Sequence, residues 1–130
     1  MRIATPTVAR RTRLLVLLCL ACPGLLANAL AAGTPLTYAA DIQPIMDKHC
    51  TGCHGWWFPR KGLRLDSRAN ILKGGASGPA IVPGDPSKGW LMRLVNKETA
   101  GGKLMPPAGN TPLSEDEIRR IEDWIRQGAH

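Results

Sequence analysis

The clearest pattern of apolar and polar residues lies near the end of the chain. One apolar stripe at helical spacing is formed by Ile118, Ile121, Trp124 and Ile125. Ahead of this stripe, Ser114 and Glu117 make a capping box, in which each side chain pairs with the other residue's backbone N–H. Acidic residues follow the cap and basic residues lie further along, in the order that a helix dipole favours. The pattern predicts a helix with one face buried against another element.

Two short helices are predicted before it. Over residues 41–50, apolar residues recur at offsets of three, four and seven, which predicts a helix with Asp41 as its N-cap and Pro44 in its first turn. Over residues 68–73, a second helix is capped by Asp66-Ser67 and closed by Gly74-Gly75.

A further helix is predicted after Asp85-Pro86, a start signal with an N-cap acceptor and a proline at the first helical position. Its apolar face consists of Trp90, Leu91, Leu94 and Val95. No run of residues alternates at strand spacing, so the sequence predicts an all-α domain. The loops over 74–86 and 97–111 are rich in glycine and proline, and loops this long are uncommon unless something orders them. An internal ligand would supply the missing core.

Residues 1–32 have the layout of a secretory signal peptide, with a basic opening, an apolar run over 14–22 and small residues at cleavage spacing in 27–31. A transmembrane anchor needs about 20 apolar residues, which is more than this run provides, although an uncleaved segment would still tether the protein. Cys22 weakly resembles a lipoprotein cleavage site, but Cys19 stands where such a site has a leucine-like residue. We therefore expect residues 33–130 to form an exported domain, with membrane tethering as the alternative.

The formal net charge of +7 comes largely from the signal segment, which holds four of the 17 basic residues and none of the 10 acidic ones. Residues 33–130 carry a net charge of +3, and nucleic-acid binding normally needs a clustered basic stripe, so we expect no nucleic-acid partner. Two of the four cysteines also lie in the segment. The remaining pair, Cys50 and Cys53, closes at most one small ring, which excludes a disulfide framework.

Cys50-Thr51-Gly52-Cys53-His54 is the five-residue pattern of covalent c-type haem attachment. Two thiols set two residues apart reach the two vinyl groups on one side of the porphyrin, and the next residue places an imidazole beneath the iron. The motif therefore predicts one haem c, held by thioether bonds from Cys50 and Cys53, with His54 as the proximal iron ligand.

Two other sites use similar residues. A thioredoxin-like redox pair has the same cysteine spacing, but it belongs to folds with strands, and no strand is predicted here. A closed zinc site needs four ligands, and the only histidines besides His54 are His49 and His130. Haem attachment is the preferred interpretation in an exported all-α domain.

Four residues compete to be the second axial ligand of the iron, namely Met46, Met92, Met105 and His130. Met46 and Met92 lie at helical positions, where methionine usually fills core space, and His130 is the terminal residue. Met105 lies in a long loop and is followed by Pro106-Pro107, which restricts the backbone next to the sulfur. A thioether is a weak ligand held by the geometry of its loop, so we predict Met105 as the ligand. Ligation by histidine and methionine leaves no open position on the iron and suits electron transfer.

These residues resemble the class I c-type cytochromes, and more narrowly the short planctomycete-type cytochrome c domain. Besides the haem motif and Met105-Pro106-Pro107, the matching stretches are residues 42–45, 62–66, 78–86 and 113–125. The resemblance implies a small fold of three to four helices wrapped around one covalently bound haem. It also implies that the first and last helices cross, with Trp124 as the aromatic residue at the crossing.

The chain departs from the family pattern at Trp56-Trp57-Phe58-Pro59, directly after the haem motif. These rings either shield a haem edge or form a docking patch, and at least one is expected to be exposed because consecutive residues do not all face one way. Trp90 and Arg64 are candidates for binding a haem propionate, but core packing of Trp90 and a solvated surface position for Arg64 are the preferred interpretations.

The sequence thus predicts a periplasmic electron carrier with one haem and no enzymatic activity. Its expected partners are redox proteins, such as a dehydrogenase or an oxidase, which it serves as a diffusible shuttle or as a subunit of a larger redox complex. The alternative function is a haem-based sensor or catalyst, in which Met105 does not bind the iron and the sixth coordination position takes a small molecule.

Overall fold

Helices supply the regular structure of the residues described in this computed structural model, which are 34–97 and 103–130. The α-helices are α1 (Gln43–His49), α2 (Thr51–His54), α3 (Arg68–Lys73), α4 (Trp90–Val95) and α5 (Glu115–Arg126). A π-helical turn (Tyr38–Ile42) precedes α1, and a 3₁₀ turn (Arg60–Gly62) lies between α2 and α3. These residues contain no β-strand and only one isolated bridge, between Gly75 and Gly78, which confirms the all-α class. The predicted signal peptide and its boundary at residue 32 lie outside the described residues.

The described residues form five α-helices where the resemblance implied three to four. The additional one is α2, which carries the haem motif. Cys50 has a φ of −124° and interrupts the helical backbone between α1 and α2, although its N–H still donates to Met46 O at 2.8 Å. None of the helices in the described part of the chain is long and apolar enough to span a membrane.

The π-helical turn and α1 together form the first helical segment of the described residues, and this segment begins earlier than the sequence predicted. Its N-cap is Thr37, whose hydroxyl accepts from the Ala40 N–H at 3.3 Å. Asp41, the expected cap, lies inside the π-helical turn, and its carboxylate accepts from the Thr37 N–H at 2.8 Å. Pro44 is the second residue of α1, where its missing N–H costs little.

The start of α4 also differs from the prediction. The Asp85 carboxylate accepts from the backbone N–H of Ser87 at 3.0 Å, and the Lys88 N–H donates to Asp85 O at 3.2 Å, so this segment is a turn and not a helix start. Gly89 then has a φ of 86°, and α4 begins at Trp90. A Cβ on Gly89 would lie 2.6 Å from Ala80 O, so both its backbone angle and its surroundings require glycine.

The helices α3 and α5 follow their predicted caps. The Ser67 hydroxyl accepts from the Asn70 N–H at 3.2 Å, and Gly74 ends α3 with a φ of 73°. At the start of α5, Ser114 and Glu117 form the predicted capping box, with hydrogen bonds of 3.2 and 2.8 Å.

The core lies where the first helical segment packs against α5. The largest fully buried side chains are Trp124, Ile42, Met46, Ile71, Ile121 and Ile125. The ring of Trp124 lies 5.8 Å from that of Tyr38, and its indole N–H donates to His130 O at 2.8 Å. Because Tyr38 N–H donates to the same carbonyl at 2.9 Å, the end of the chain is tied to its first helical turn. Trp124 therefore occupies the helix crossing that the resemblance implied.

Candidate functional site

A cavity of about 600 Å³ is lined by residues of α2, α4 and the loops at 60–65, 75–80 and 103–113. This volume is typical of sites for small molecules and cofactors. Its lining includes all four predicted site residues, Cys50, Cys53, His54 and Met105, although Cys50 and Met105 are 55 positions apart in the sequence. The fold thus brings two thiols, an imidazole and a thioether to one cavity.

His54 is oriented by a hydrogen bond to the backbone. Its Nδ1 lies 3.3 Å from Leu63 O, and because a carbonyl oxygen only accepts, Nδ1 carries the proton. The backbone of the same residue is held by Leu65 N–H, which donates to His54 O at 2.7 Å. This arrangement leaves Nε2 with a free lone pair, as in metal-binding histidines whose other ring nitrogen donates to the protein.

The two cysteines are half-buried and form no disulfide. Burial, together with the neighbouring Cys53 thiol, raises the pKa of Cys50 to about 11. A reactive thiol redox pair needs a lowered pKa, and the described residues lack the strands of a thioredoxin-like fold, so a redox pair fits poorly. Nowhere in residues 34–97 and 103–130 do three His, Cys, Asp or Glu side chains converge as a metal site.

Of the four candidate axial ligands, only Met105 lines the cavity. Its backbone N–H donates to Leu94 O at 3.2 Å, which ties the loop to the end of α4, and Pro106 and Pro107 follow it along the cavity wall. Met46 and Met92 are buried in the core, as expected from their helical positions. His130 is exposed and lies outside the lining, while its carbonyl oxygen accepts the bonds from Tyr38 and Trp124.

Comparison with known protein families gives one match. Residues 50–109 match the family model described as Planctomycete cytochrome C. The match supports a planctomycete-type cytochrome c domain in this part of the chain. Such a domain binds haem c covalently, and the matched range includes both the haem motif and Met105-Pro106-Pro107. No curated protein and no solved structure matches the chain.

The cavity of this cytochrome domain fits a haem in its chemistry. Its thiols and imidazole are those that covalent attachment requires, and its wall is largely apolar, with Leu65, Leu91 and Val95 buried around it. The charged residues among its lining are the cations Arg60, Lys61, Arg93 and Lys103. No aspartate or glutamate belongs to the lining formed by the described residues, so the charged part of the cytochrome cavity is positive.

The two candidate propionate ligands are both engaged elsewhere. Arg64 pairs with Asp66 at 2.6 Å and lies outside the cavity lining, as its predicted surface position implied. Trp90 lines the cavity, but its indole N–H donates to Ser77 O at 2.8 Å. The predicted core packing of Trp90 is wrong, because the side chain is exposed and its ring lies against the Arg93 guanidinium, 4.8 Å from its carbon atom.

The aromatic residues after the haem motif face outward. Trp56, Trp57 and Phe58 are 67%, 68% and 79% exposed, and none of them belongs to the cavity lining. These exposures confirm that at least one of the three rings is exposed.

His49 contributes to the site in a way that the sequence did not reveal. Its side chain is almost fully buried in the cavity wall, with Nε2 3.1 Å from a carboxylate oxygen of Glu117 and Nδ1 3.1 Å from Thr111 O. The Ser114 backbone N–H, followed by the side chains of Lys48 and His49, holds the pKa of Glu117 at about 2. The residue before Cys50 is thus fixed to the start of α5. No local signal predicts this pair, because its members are 68 residues apart.

Proposed function

We propose that this chain is an electron carrier of the bacterial periplasm with a single haem. Cys50 and Cys53 would hold the haem by thioether bonds, and His54 and Met105 would bind its iron. The observation that supports this proposal most strongly is the placement of all four side chains on one cavity. A bound haem supplies one-electron chemistry, because its iron cycles between the ferric and ferrous states.

The chain's own residues hold the ligands in place and exclude water. Leu63 O fixes the tautomer and orientation of the His54 ring, and the bond from Met105 N–H to Leu94 O fixes the loop that carries the sulfur. Buried leucine and valine side chains surround the cavity and keep its polarity low. If His54 and Met105 both bound the iron, no position would remain on it for a substrate, so the role that we propose is not enzymatic.

Export follows from the signal peptide predicted over residues 1–32, and haem attachment in the periplasm is consistent with it. The proposed partners are redox proteins such as a dehydrogenase or an oxidase. The chain serves them either as a diffusible shuttle or as a subunit of a larger redox complex, and it binds no nucleic acid.

The absorption spectrum of the ferric holoprotein, extended into the near infrared, tests the ligand set. Ligation by a methionine sulfur gives a sulfur-to-iron charge-transfer band in that region. We expect Met105→Ala to keep the covalent haem, to lose this band and to lower the reduction potential, because a thioether ligand favours the ferrous state. The matched control is Met92→Leu, which changes a buried methionine outside the cavity and should retain the band.

Two results would contradict the proposal. A charge-transfer band that persists in Met105→Ala would show that another residue supplies the sixth ligand. Binding of carbon monoxide to the intact ferrous wild-type protein would show an open coordination position, and the function would then be that of a haem-based sensor or catalyst.

A further inference from the structure

Trp56, Trp57 and Phe58 form an exposed aromatic patch on the loop after α2. The rings pack against one another edge to face, with centroids 4.7 Å apart for the first pair and 6.1 Å apart for the second, at interplanar angles of 90° and 80°. Such geometry is favourable for aromatic rings, so the patch is ordered by its own contacts while most of its surface stays in water. Large contiguous apolar patches are rare on soluble proteins and usually mark an interaction site.

The patch is connected directly to the haem cavity. It is preceded by Gly55, where a Cβ would lie 2.5 Å from Thr51 O, so the close turn out of α2 requires a glycine. It is followed by Pro59 and then by Arg60 and Lys61, which line the cavity. The loop therefore leaves the haem motif, presents three rings to solvent and returns to the cavity within seven residues.

The charges beside the patch have one sign. Arg60 and Lys61 are exposed, and neither forms an ion pair with another residue in the described part of the chain. The cavity that they line has further cations and no acidic residue among its described lining. A surface that complements this side of the molecule would carry carboxylates around an apolar centre.

The area of the patch suits a transient complex. An aromatic side chain buries about 150–250 Å², so three rings exposed by two thirds or more offer about 400 Å². Weak electron-transfer complexes bury less than about 1,200 Å² in total, or about 600 Å² on each partner. The three rings would therefore supply most of one side of such an interface, with the two cations at its rim.

We propose that the aromatic patch, together with Arg60 and Lys61, docks an acidic redox protein whose electron-transfer edge is apolar and ringed by carboxylates. The inference rests on the proposed function, since it names the partner class for the same haem. Transfer moves one electron from the reduced cytochrome to the oxidised metal of the partner, and no bond forms or breaks. An anionic membrane would also accept aromatic and basic residues. The connection of the patch to the cavity favours the redox protein, because docking there brings the acceptor to the haem.

The aromatic part of the proposal is tested with the triple variant Trp56→Ser/Trp57→Ser/Phe58→Ser of the reduced holoprotein. Its oxidation is followed by stopped flow with two acceptors, an acidic copper protein with an apolar copper edge and the small ion hexacyanoferrate. We expect the rate constant with the copper protein to fall at least about tenfold, because buried aromatic residues dominate interface energies. The rate with hexacyanoferrate should stay within about twofold, because this ion needs no apolar contact.

The charge part is tested with Arg60→Glu/Lys61→Glu. Its matched control is Lys73→Glu/Lys97→Glu, which makes the same charge change at two exposed lysines outside the cavity lining. We expect Arg60→Glu/Lys61→Glu to slow oxidation by the copper protein at least about tenfold, since charges at the rim of an interface act on association rates. The wild-type rate constant should decrease as salt is added, and the rate constant of this variant should not. The control pair should change both much less. If the aromatic variant does not accumulate, Phe58→Ser alone replaces it.

The failures can be told apart. Wild-type protein without covalent haem, or without reaction with hexacyanoferrate, would overturn the proposed function itself. If the wild type reacts with hexacyanoferrate but the copper protein oxidises the aromatic variant at the wild-type rate, only the docking site is wrong. The patch would be assigned to a membrane if the wild type, but not the aromatic variant, binds vesicles of phosphatidylcholine and phosphatidylglycerol while the copper protein oxidises both at the same rate. The patch would be assigned to a second copy of the chain if the wild type self-associates, the aromatic variant does not, and the copper protein oxidises both at the same rate.

Discussion

Glu117 connects the last helix to the segment that precedes the haem motif, and Glu117→Gln is expected to destabilise the protein in a pH-dependent way. Its carboxylate accepts from the Ser114 N–H at 2.8 Å, from the Lys48 ammonium at 3.0 Å and from His49 Nε2 at 3.1 Å. These bonds hold its pKa at about 2, against an ordinary value of 4.5. Glutamine keeps the size of the side chain and removes its charge.

The expected magnitude follows from this pKa difference. A carboxyl group with a pKa near 2 in the folded chain and 4.5 in the unfolded chain contributes at most about 3 kcal/mol to the free energy of unfolding. The Lys48 side chain is 60% exposed, so water screens much of its share. We therefore expect Glu117→Gln to cost about 1–2 kcal/mol at pH 7.

The sign of the pH dependence is fixed by the direction of the pKa change. Because the pKa of Glu117 is lower in the folded state, the stabilisation is complete above pH 4.5 to 5 and is lost as the pH falls towards 2. The assay is urea unfolding of the holoprotein at pH 7 and at pH 3, followed by far-ultraviolet circular dichroism. The difference between wild type and variant should be clearly smaller at pH 3.

Glu115→Gln is the matched control, since it makes the same charge change in the first turn of the same helix. The Glu115 side chain is 91% exposed, and its ion pair is with Arg119 of its own helix, at 3.5 Å. We expect it to cost less than about 0.5 kcal/mol at pH 7. The reasoning is refuted if both variants lose the same stability at pH 7, or if the loss in Glu117→Gln is as large at pH 3 as at pH 7.

Three further predictions concern the fold around the site. Trp124→Ala should cost about 3–5 kcal/mol in urea unfolding, because it empties the buried helix crossing, and a cost below about 1 kcal/mol would place the ring outside the core. Gly89→Ala should cost clearly more than Gly109→Ala in the same assay: both glycines have φ near 90°, but only at Gly89 would the new Cβ meet a backbone oxygen at 2.6 Å. Cys50→Ala/Cys53→Ala should bind no haem covalently. Hydrogen exchange should then show that the amides of α4 lose protection, because the apolar face of α4 lines the cavity, and full protection of α4 would contradict this.

Local hydrogen bonding explains which helix boundaries were predictable. The caps of α3 and α5 are made by residues within a few positions of each helix, so they can be recognised from the local sequence. These residues are Ser67, Gly74, Ser114 and Glu117. The haem motif is equally local, because its five residues lie in and next to one helical turn.

The mistaken starts have a physical reason as well. Aspartate is favoured both as an N-cap and in turns, because its carboxylate accepts from backbone N–H groups in either setting. Asp41 accepts from a residue before it, and Asp85 accepts from Ser87 within a turn. Which of these bonds forms depends on the neighbouring chain, as at Gly89, whose φ of 86° separates the turn from α4. Sequence spacing alone does not distinguish these cases.

The remaining gaps concern contacts between distant parts of the chain. Met105 was chosen as a candidate from its own neighbours, the prolines that stiffen its loop, whereas the bond between His49 and Glu117 depends on how α1 and α5 pack. The direction of the aromatic patch depends likewise on the turn at Gly55.

The division between core and cavity accounts for this pattern. None of the six fully buried large side chains belongs to the cavity lining. The side chains of the first helical segment and α5 therefore pack against other side chains of the protein. The apolar face of α4 and the loop that bears Met105 instead surround the cavity. Helix patterning therefore predicted the first part, since apolar stripes must meet one another. The second part lines a cavity, and the chemistry of that cavity was inferred from the motif, whereas the course of its loops depends on contacts that no local pattern in the sequence describes.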